Sequence, residues 1–144
     1  MRDITLRKYR EADWPFLVSL RRETMRQHLV NSGVVIDEAK DLERVKYRLD
    51  CAEIIGIEGR DIGLLKVCRD GDPWELVQIQ LAPGHQGTGI GRRLIEAVLS
   101  DAREAGVGVK LTVLKANPAK RLYERLGFRV VATTQSSFEM HKNP

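Results

Sequence analysis

This chain contains few of the residues that mark specialised classes of small protein. Cysteine occurs only twice in 144 residues, at Cys51 and Cys68. Neither has a histidine at metal-ligand spacing, so we expect two reduced core thiols and no metal. The charge excess is small, with 24 Lys and Arg against 20 Asp and Glu, and aromatic residues make up 6%. Because no basic run is interleaved with aromatics, we expect no nucleic-acid partner.

Long hydrophobic runs are also missing. No apolar stretch is long enough to cross a membrane, and the first residues lack a secretory signal pattern. The hydrophobic fraction of 42% and charged fraction of 31% are ordinary for a globular domain of this length. We therefore expect one cytoplasmic domain over residues 1–144 that has no membrane partner. Its net charge of +4 suits an anionic ligand.

Hydrophobic periodicity predicts a regular order of helices and strands. A first strand at 4–7 precedes two helices that begin near residues 13 and 37. Strands are predicted at 52–58, 62–69 and 74–81, a helix at 89–105, a strand at 109–114, a short helix from 117, and strands at 128–132 and 138–141. The strands at 52–81 indicate an antiparallel meander. The helix at 89–105 indicates a crossover to a parallel strand.

That crossover helix carries a distinct apolar stripe. The stripe consists of Ile90, Leu94, Val98, Ala102 and Ala105, with Ile95 and Leu99 beside it. Charged residues lie on the other side, and glycines at 106 and 108 end the pattern. We therefore expect the stripe to pack against the sheet.

A glycine-rich loop, Gln86-Gly87-Thr88-Gly89-Ile90-Gly91, leads directly into this helix. Alternate glycines leave backbone N–H groups bare where the helix dipole favours an anion. A P-loop requires Gly-Lys-Ser/Thr, but Gly91 is followed by Arg92. Arg92 also occupies the position of the third glycine in a dinucleotide fingerprint. The loop therefore predicts a phosphate or pyrophosphate site of neither type.

In this loop the chain resembles the GNAT acetyltransferases, whose Q/R-x-x-G-x-G/A signature is met by Gln86, Gly89 and Gly91. The resemblance continues at Asn117-Pro118-Ala119 and in the L-Y-E-R-L-G-F segment at 122–128. The element order matches that family over essentially the whole chain, although only in outline up to about residue 50. The resemblance implies an α/β fold with a mixed, mostly antiparallel twisted sheet. Such a sheet has six to seven strands and about four helices, and its fourth and fifth strands splay apart.

The resemblance also implies an enzyme that moves an acetyl group from acetyl-CoA to a primary amine. Transfer would be direct, in a ternary complex, without a metal. The acceptor would be a small-molecule or peptide amine, and the protein could form a homodimer. The implied cofactor site consists of Ile79, Leu81, Gln86, Gly87, Thr88, Gly89, Ile90, Gly91, Arg92, Asn117 and Tyr123.

Tyr123 is the general acid that the resemblance implies, because a phenol with a pKa of about 10 can return a proton to a thiolate. Family members often place a basic glutamate on the strand before the loop. Here Glu75 starts that strand, and glutamines occupy the positions nearer the expected thioester. The base is therefore Glu75 through water, His28, or no residue if the amine arrives neutral. His28, Gln78 and Gln80 are the expected acceptor-binding residues.

Two other functions stay open at this point. A non-catalytic acyl-CoA sensor would keep the loop without the glutamate. An acetylase of protein lysines or N-terminal amines would have the same motifs.

Overall fold

The computed structural model describes residues 3–144, and the predicted order of elements is confirmed. Short 3₁₀ turns connect some of these elements. The strands and helices are β1 (Ile4–Lys8), α1 (Trp14–Asn31), α2 (Glu38–Lys46), β2 (Ala52–Ile57), β3 (Arg60–Cys68), β4 (Trp74–Leu81), α3 (Ile90–Ala105), β5 (Val109–Leu114), α4 (Ala119–Arg125), β6 (Arg129–Thr133) and β7 (Ser137–Lys142).

All seven strands form one sheet in the order β1-β2-β3-β4-β5-β7-β6. Neighbouring strands are antiparallel except for β4 and β5, which α3 connects as a parallel pair. The ladder between β4 and β5 joins only Trp74 with Val109 and Glu75 with Lys110. Beyond Glu75 the two strands diverge. The predicted splay between the fourth and fifth strands is therefore confirmed.

Helix α3 packs on one face of the sheet through its predicted stripe. Its buried residues are Ile90, Leu94, Ile95, Val98, Leu99 and Ala102. The stripe was predicted to include Ala105, which is wrong because this residue is exposed. The reason is that the helix ends there, at Gly106 in the left-handed conformation (φ +72).

Helices α1 and α2 cover the opposite face. Leu17 and Leu20 of α1 and Val45 of α2 pack with Leu64 of β3 in a second apolar cluster. Helix α2 starts where the sequence predicts it, because Asp37 caps it by accepting the Ala39 N–H at 2.9 Å. The splay between β4 and β5 therefore lies between two covered faces.

The turn between β2 and β3 differs from the prediction. A turn at 59–61 was predicted, but β3 already begins at Arg60. The turn residues are Glu58 (φ +52) and Gly59 (φ +79). Positive φ at both positions is typical of a two-residue type I′ turn, whose twist matches that of the flanking strands.

Both cysteines are free, as expected, although Cys51 is only half-buried while Cys68 is buried. Within residues 3–144, no helix combines the length and apolar character needed to cross a membrane.

Candidate functional site

Two cavities open along the splay. The first, hereafter the loop cavity, has a volume of about 570 Å³ and is lined by the glycine-rich loop 86–92. The second, hereafter the strand cavity, has a volume of about 400 Å³ and is lined by residues 75–80 of β4 and 111–114 of β5. The residues that line both, hereafter the junction, are Met25, Ile79, Gln80, Asn117 and Tyr123.

The glycine-rich loop is folded back onto the end of β4. The Gln86 side chain donates from Nε2 to the Leu81 carbonyl at 3.0 Å, and the Thr88 hydroxyl donates to the His85 carbonyl at 2.8 Å. Gly87 (φ +71) and Gly89 (φ +84) are left-handed, a conformation that strains any residue with a Cβ. These hydrogen bonds and the two left-handed glycines define the shape of the loop.

The N-terminus of α3 faces the loop cavity with bare amides. Gly89 at the N-cap provides no side-chain cap, and the Arg93 N–H makes the first intrahelical bond, to the Gly89 carbonyl at 3.1 Å. The N–H groups of Ile90, Gly91 and Arg92 therefore precede the helical ladder. Together with the helix dipole, these groups could bind an anion such as a phosphate.

Two arginines line the loop cavity. Arg92 lines the cavity while its Nε donates to Glu96 at 2.7 Å. Arg125 of α4 also lines the cavity, although it was not among the predicted residues. Its position within the L-Y-E-R motif is the signal that would have found it.

Tyr123 places a protonated phenol at the junction. The residue is 7% exposed, and its ring meets Phe128 edge-on with centroids 5.8 Å apart. Burial raises the pKa of Tyr123 to about 12. The hydroxyl therefore keeps its proton at neutral pH, but the raised pKa makes it a weaker proton donor to a thiolate than a free phenol. Nearby, the side chain of Asn117 accepts the Ala119 N–H at 2.9 Å, just before α4 begins.

Gln80 brings an unsatisfied amide to the same point. The residue is 4% exposed, and neither Nε2 nor Oε1 of its side chain has a hydrogen-bond partner among residues 3–144. Native proteins rarely leave a buried amide unpaired. A molecule that enters the junction can supply both the missing donor and the missing acceptor.

A β-bulge decides where this amide points. Val67 of β3 pairs with Leu76, but the preceding Lys66 pairs with Gln78, so that one residue of β4 is left over. After the bulge, Gln80 lies opposite Leu64. Opposed residues share a face of the sheet, and Leu64 packs under α1 and α2. The bulge thus directs Gln78 and Gln80 toward the helices that wall the strand cavity.

Charged groups gather at the far end of the strand cavity. Glu75 accepts a hydrogen bond from the Tyr47 hydroxyl at 3.4 Å, and its charge raises the pKa of Tyr47. Buried Arg21 donates from Nε to Asp41 at 2.7 Å. The Arg44 guanidinium lies 5.2 Å from the centroid of the Tyr47 ring. Glu75, predicted as a base, and Gln78, predicted to bind the acceptor, therefore both line this cavity.

His28 lies elsewhere. It lines the loop cavity beside Thr24 and is not among the residues of the strand cavity. The structure thus brings Gln78 and Gln80 together and places His28 on the other side of the junction. Among the residues missed by sequence reasoning, Met25 at the junction and Arg21 in the strand cavity lie one turn apart on α1, with no motif to mark them.

No group of three His, Cys, Asp or Glu side chains within residues 3–144 is placed to hold a metal ion.

Comparison with known proteins finds the same family as the motifs. The family model for the acetyltransferase (GNAT) domain matches residues 51–130. The chain is 47% identical over 62 residues to N-alpha-acetyltransferase 40 of Saccharomyces cerevisiae, covering 37% of this chain and 22% of that protein. It is 48% identical over 52 residues to streptothricin acetyltransferase of Streptomyces lavendulae, covering 35% of this chain and 28% of that protein. These matches thus span only about a quarter of each curated relative.

A solved structure extends the likeness to the whole fold. The PaiA N-acetyltransferase of Thermoplasma acidophilum, in complex with coenzyme A, superposes with a TM-score of 0.76 at 20% identity, covering 99% of both chains. This match shows the fold. Because the family model covers more than half of the 144 residues, the chain belongs to the GNAT acetyltransferase family.

Proposed function

We propose that this acyltransferase uses acetyl-CoA and transfers the acetyl group directly to a primary amine in a ternary complex. The observation that carries the proposal is the junction, where a cavity ending on bare helix amides meets a second cavity at Gln80 and Tyr123. The names of the yeast and Streptomyces relatives support an amine acceptor. The coenzyme A in the Thermoplasma structure supports the cofactor.

The loop cavity fits the cofactor by the chemistry of its lining. The N–H groups at 90–92 would hold the pyrophosphate, with Arg92 and Arg125 adding positive charge. Ile79 and Leu81 would lie along the pantetheine arm, on the edge of β4 that has no ladder partner beyond Glu75 among the described residues. When bound, acetyl-CoA supplies an acetyl thioester.

Residues of the junction act on the proton and on the orientation of the amine. Gln80 Oε1 accepts a hydrogen bond from the amine nitrogen and so directs its lone pair toward the thioester carbonyl. The C–N bond forms and the C–S bond breaks, and Tyr123 gives its hydroxyl proton to the departing thiolate sulfur. The Tyr123 oxygen regains a proton from solvent.

An acceptor that arrives as an ammonium ion must first lose a proton, and the nearest carboxylate on β4 is that of Glu75. Glu75 stands four residues before Ile79 on β4, about 13 Å away at the rise of a strand. It would therefore accept the proton through a chain of several waters. An acceptor that arrives as a neutral amine skips this step, and its nitrogen releases one proton to solvent as the amide forms.

Binding and turnover test this proposal separately. Titration of acetyl-CoA into the protein by calorimetry should give binding in the micromolar to millimolar range. A panel of amines, amino acids, polyamines, aminoglycosides and peptides, with release of the CoA thiol as readout, should then identify at least one acceptor. Absence of acetyl-CoA binding would contradict the proposal.

A second candidate is an acyl-CoA sensor without turnover. It is favoured by the junction itself, where no side chain is a carboxylate or an imidazole. Acetyl-CoA binding without thiol release on any amine of the panel would support the sensor, whereas turnover on one amine excludes it. An acetylase of protein lysines or N-terminal amines is tested by the peptides of the same panel. The name of the yeast relative supports an N-terminal amine as acceptor.

A further inference from the structure

The strand cavity contains one guanidinium that has no ionic partner. Arg44 of α2 lines this cavity, and it forms no ion pair with any carboxylate of residues 3–144. The other arginine of the cavity, Arg21, is already paired with Asp41. The donors of Arg44 are therefore free to bind a group on the acceptor.

The Arg44 guanidinium lies beside an aromatic ring. This ring is that of Tyr47, and the Tyr47 hydroxyl donates to Glu75. Below it, buried Lys66 donates to the carbonyls of Val45 and Tyr47 at 3.1 and 2.6 Å, which holds the C-terminal turn of α2 against the sheet. A stacked arginine on an anchored helix loses little entropy when its planar fork binds a carboxylate.

The unpaired charge of Arg44 favours an anion at this point of the strand cavity. The charged residues that line the cavity are Arg21, Arg44 and Glu75. Arg21 is paired with Asp41, and Glu75 accepts a hydrogen bond from the Tyr47 hydroxyl. Arg44 is exposed and forms no ion pair with a carboxylate of residues 3–144.

From these contacts we propose that the acceptor carries a carboxylate on the order of 10 Å from its reacting amine, a span set by the strand rise between Glu75 and the junction, and that Arg44 binds this carboxylate. The inference rests on the proposed N-acetyltransferase function. An acceptor of this class is an elongated amino acid or a short peptide with a free C-terminus.

Two matched acceptors test the charge alone. Triglycine places its amine about 10 Å from its carboxylate when extended, and triglycinamide differs only in the uncharged end. The wild-type protein should give kcat/KM about tenfold higher for triglycine, the effect of one charge-assisted hydrogen-bonded pair. In Arg44→Gln the kcat/KM for triglycine divided by that for triglycinamide should fall to about one, and in Arg44→Lys this ratio should be intermediate.

Lys46→Gln is the matched control. Lys46 lies two residues away on α2 and its Nζ stands over Trp14 at 5.9 Å, but it does not line the strand cavity. The preference for triglycine should persist in this variant. Equal loss in Lys46→Gln and Arg44→Gln would overturn the inference, because the effect would then be one of general charge.

Other outcomes separate the inference from the function on which it rests. A wild-type protein that acetylates triglycinamide, or the diamine cadaverine, as well as triglycine overturns the carboxylate site while the N-acetyltransferase function stands. If no amine is acetylated, the carboxylate site is tested by calorimetric titration of triglycine and of triglycinamide into the protein saturated with coenzyme A. Tighter binding of triglycine that is lost in Arg44→Gln supports the site, and equal or absent binding overturns it.

Discussion

The carbonyl oxygen of Gln80 lies so close to the Cα of Gly63 on β3 that no Cβ fits between them. This contact sets the position of β4 just where its side chains reach the junction. The only side chain that clears the Gln80 carbonyl here is the hydrogen of glycine. The site is therefore supported from the strand behind it.

Gly63→Ala should displace β4 at Gln80. We expect a loss of about 1 to 3 kcal/mol in the free energy of unfolding, the cost of overpacking, together with a raised KM for acetyl-CoA. Urea unfolding and steady-state kinetics measure the two effects. Gly84→Ala is the control, because a Cβ there meets no atom within 4 Å. Equal effects of both substitutions would contradict this account.

Gln80→Leu should make the protein more stable and less active. Removal of an unpaired buried amide relieves about 1 to 3 kcal/mol, so the free energy of unfolding should rise by an amount in that range. At the same time kcat/KM should fall at least tenfold, because the amine loses its hydrogen-bond acceptor. Gln78→Leu is the control for stability, since Gln78 is only half-buried. A Gln80→Leu protein that is less stable than Gln78→Leu would show that the amide is satisfied.

Two glycines of the loop should respond differently to alanine. Gly89 is left-handed (φ +84), so Gly89→Ala should cost about 1 to 2 kcal/mol of stability. A Cβ at Gly91 would make only ordinary contacts, 3.8 Å from Cδ1 of Ile79 and of Leu81, both in the loop cavity. Gly91→Ala should therefore keep full stability but weaken acetyl-CoA binding. Unchanged affinity by calorimetry would place the cofactor elsewhere.

Lys66 should make the free energy of unfolding depend on pH. Burial, reinforced by the charges of Arg44 and Arg21, lowers the pKa of Lys66 from 10.5 to about 8. Between these values the unfolded chain binds more protons, so the contribution of Lys66 to stability rises with pH. The wild-type protein should gain about 2 kcal/mol relative to Lys66→Met between pH 8 and 9.5. Urea unfolding at both pH values measures this, and a constant difference would contradict the shifted pKa.

The sequence could predict the elements whose limits are marked by local chemistry. Strands β4 and β5 have the predicted bounds because Pro73, Pro83 and Gly108 interrupt the pattern next to them. The turn after β2 was misplaced because Gly59-Arg60-Asp61 has a typical turn composition, whereas the chain turns at Glu58 and Gly59. Glu58 adopts a positive φ in this hairpin, and the composition of the segment does not indicate this.

Only the parts of the site that a local sequence motif marks could be predicted. Alternate glycines before a helix indicate an anion site by themselves, so the loop was found. Met25 and Arg44 reach the site only because α1 and α2 pack over the splay. The orphaned amide of Gln80 depends on the bulge in β4, which has no signature in a run of alternating residues.

Tyr123→Phe should reduce kcat strongly, because the thiolate would leave without a proton. Acetyl-CoA affinity should be nearly unchanged, since the ring still packs edge-on against Phe128. Comparison of kcat with calorimetric affinity separates the two effects. An unchanged kcat would remove Tyr123 from the mechanism.

Acceptor-dependent release of the CoA thiol, measured across the amine panel with the acetylated product quantified by mass spectrometry, is the decisive measurement of N-acetyltransferase activity. We expect at least one amine for which thiol and N-acetyl product appear in equal amounts. Acetyl-CoA binding without such product from any amine would contradict this expectation.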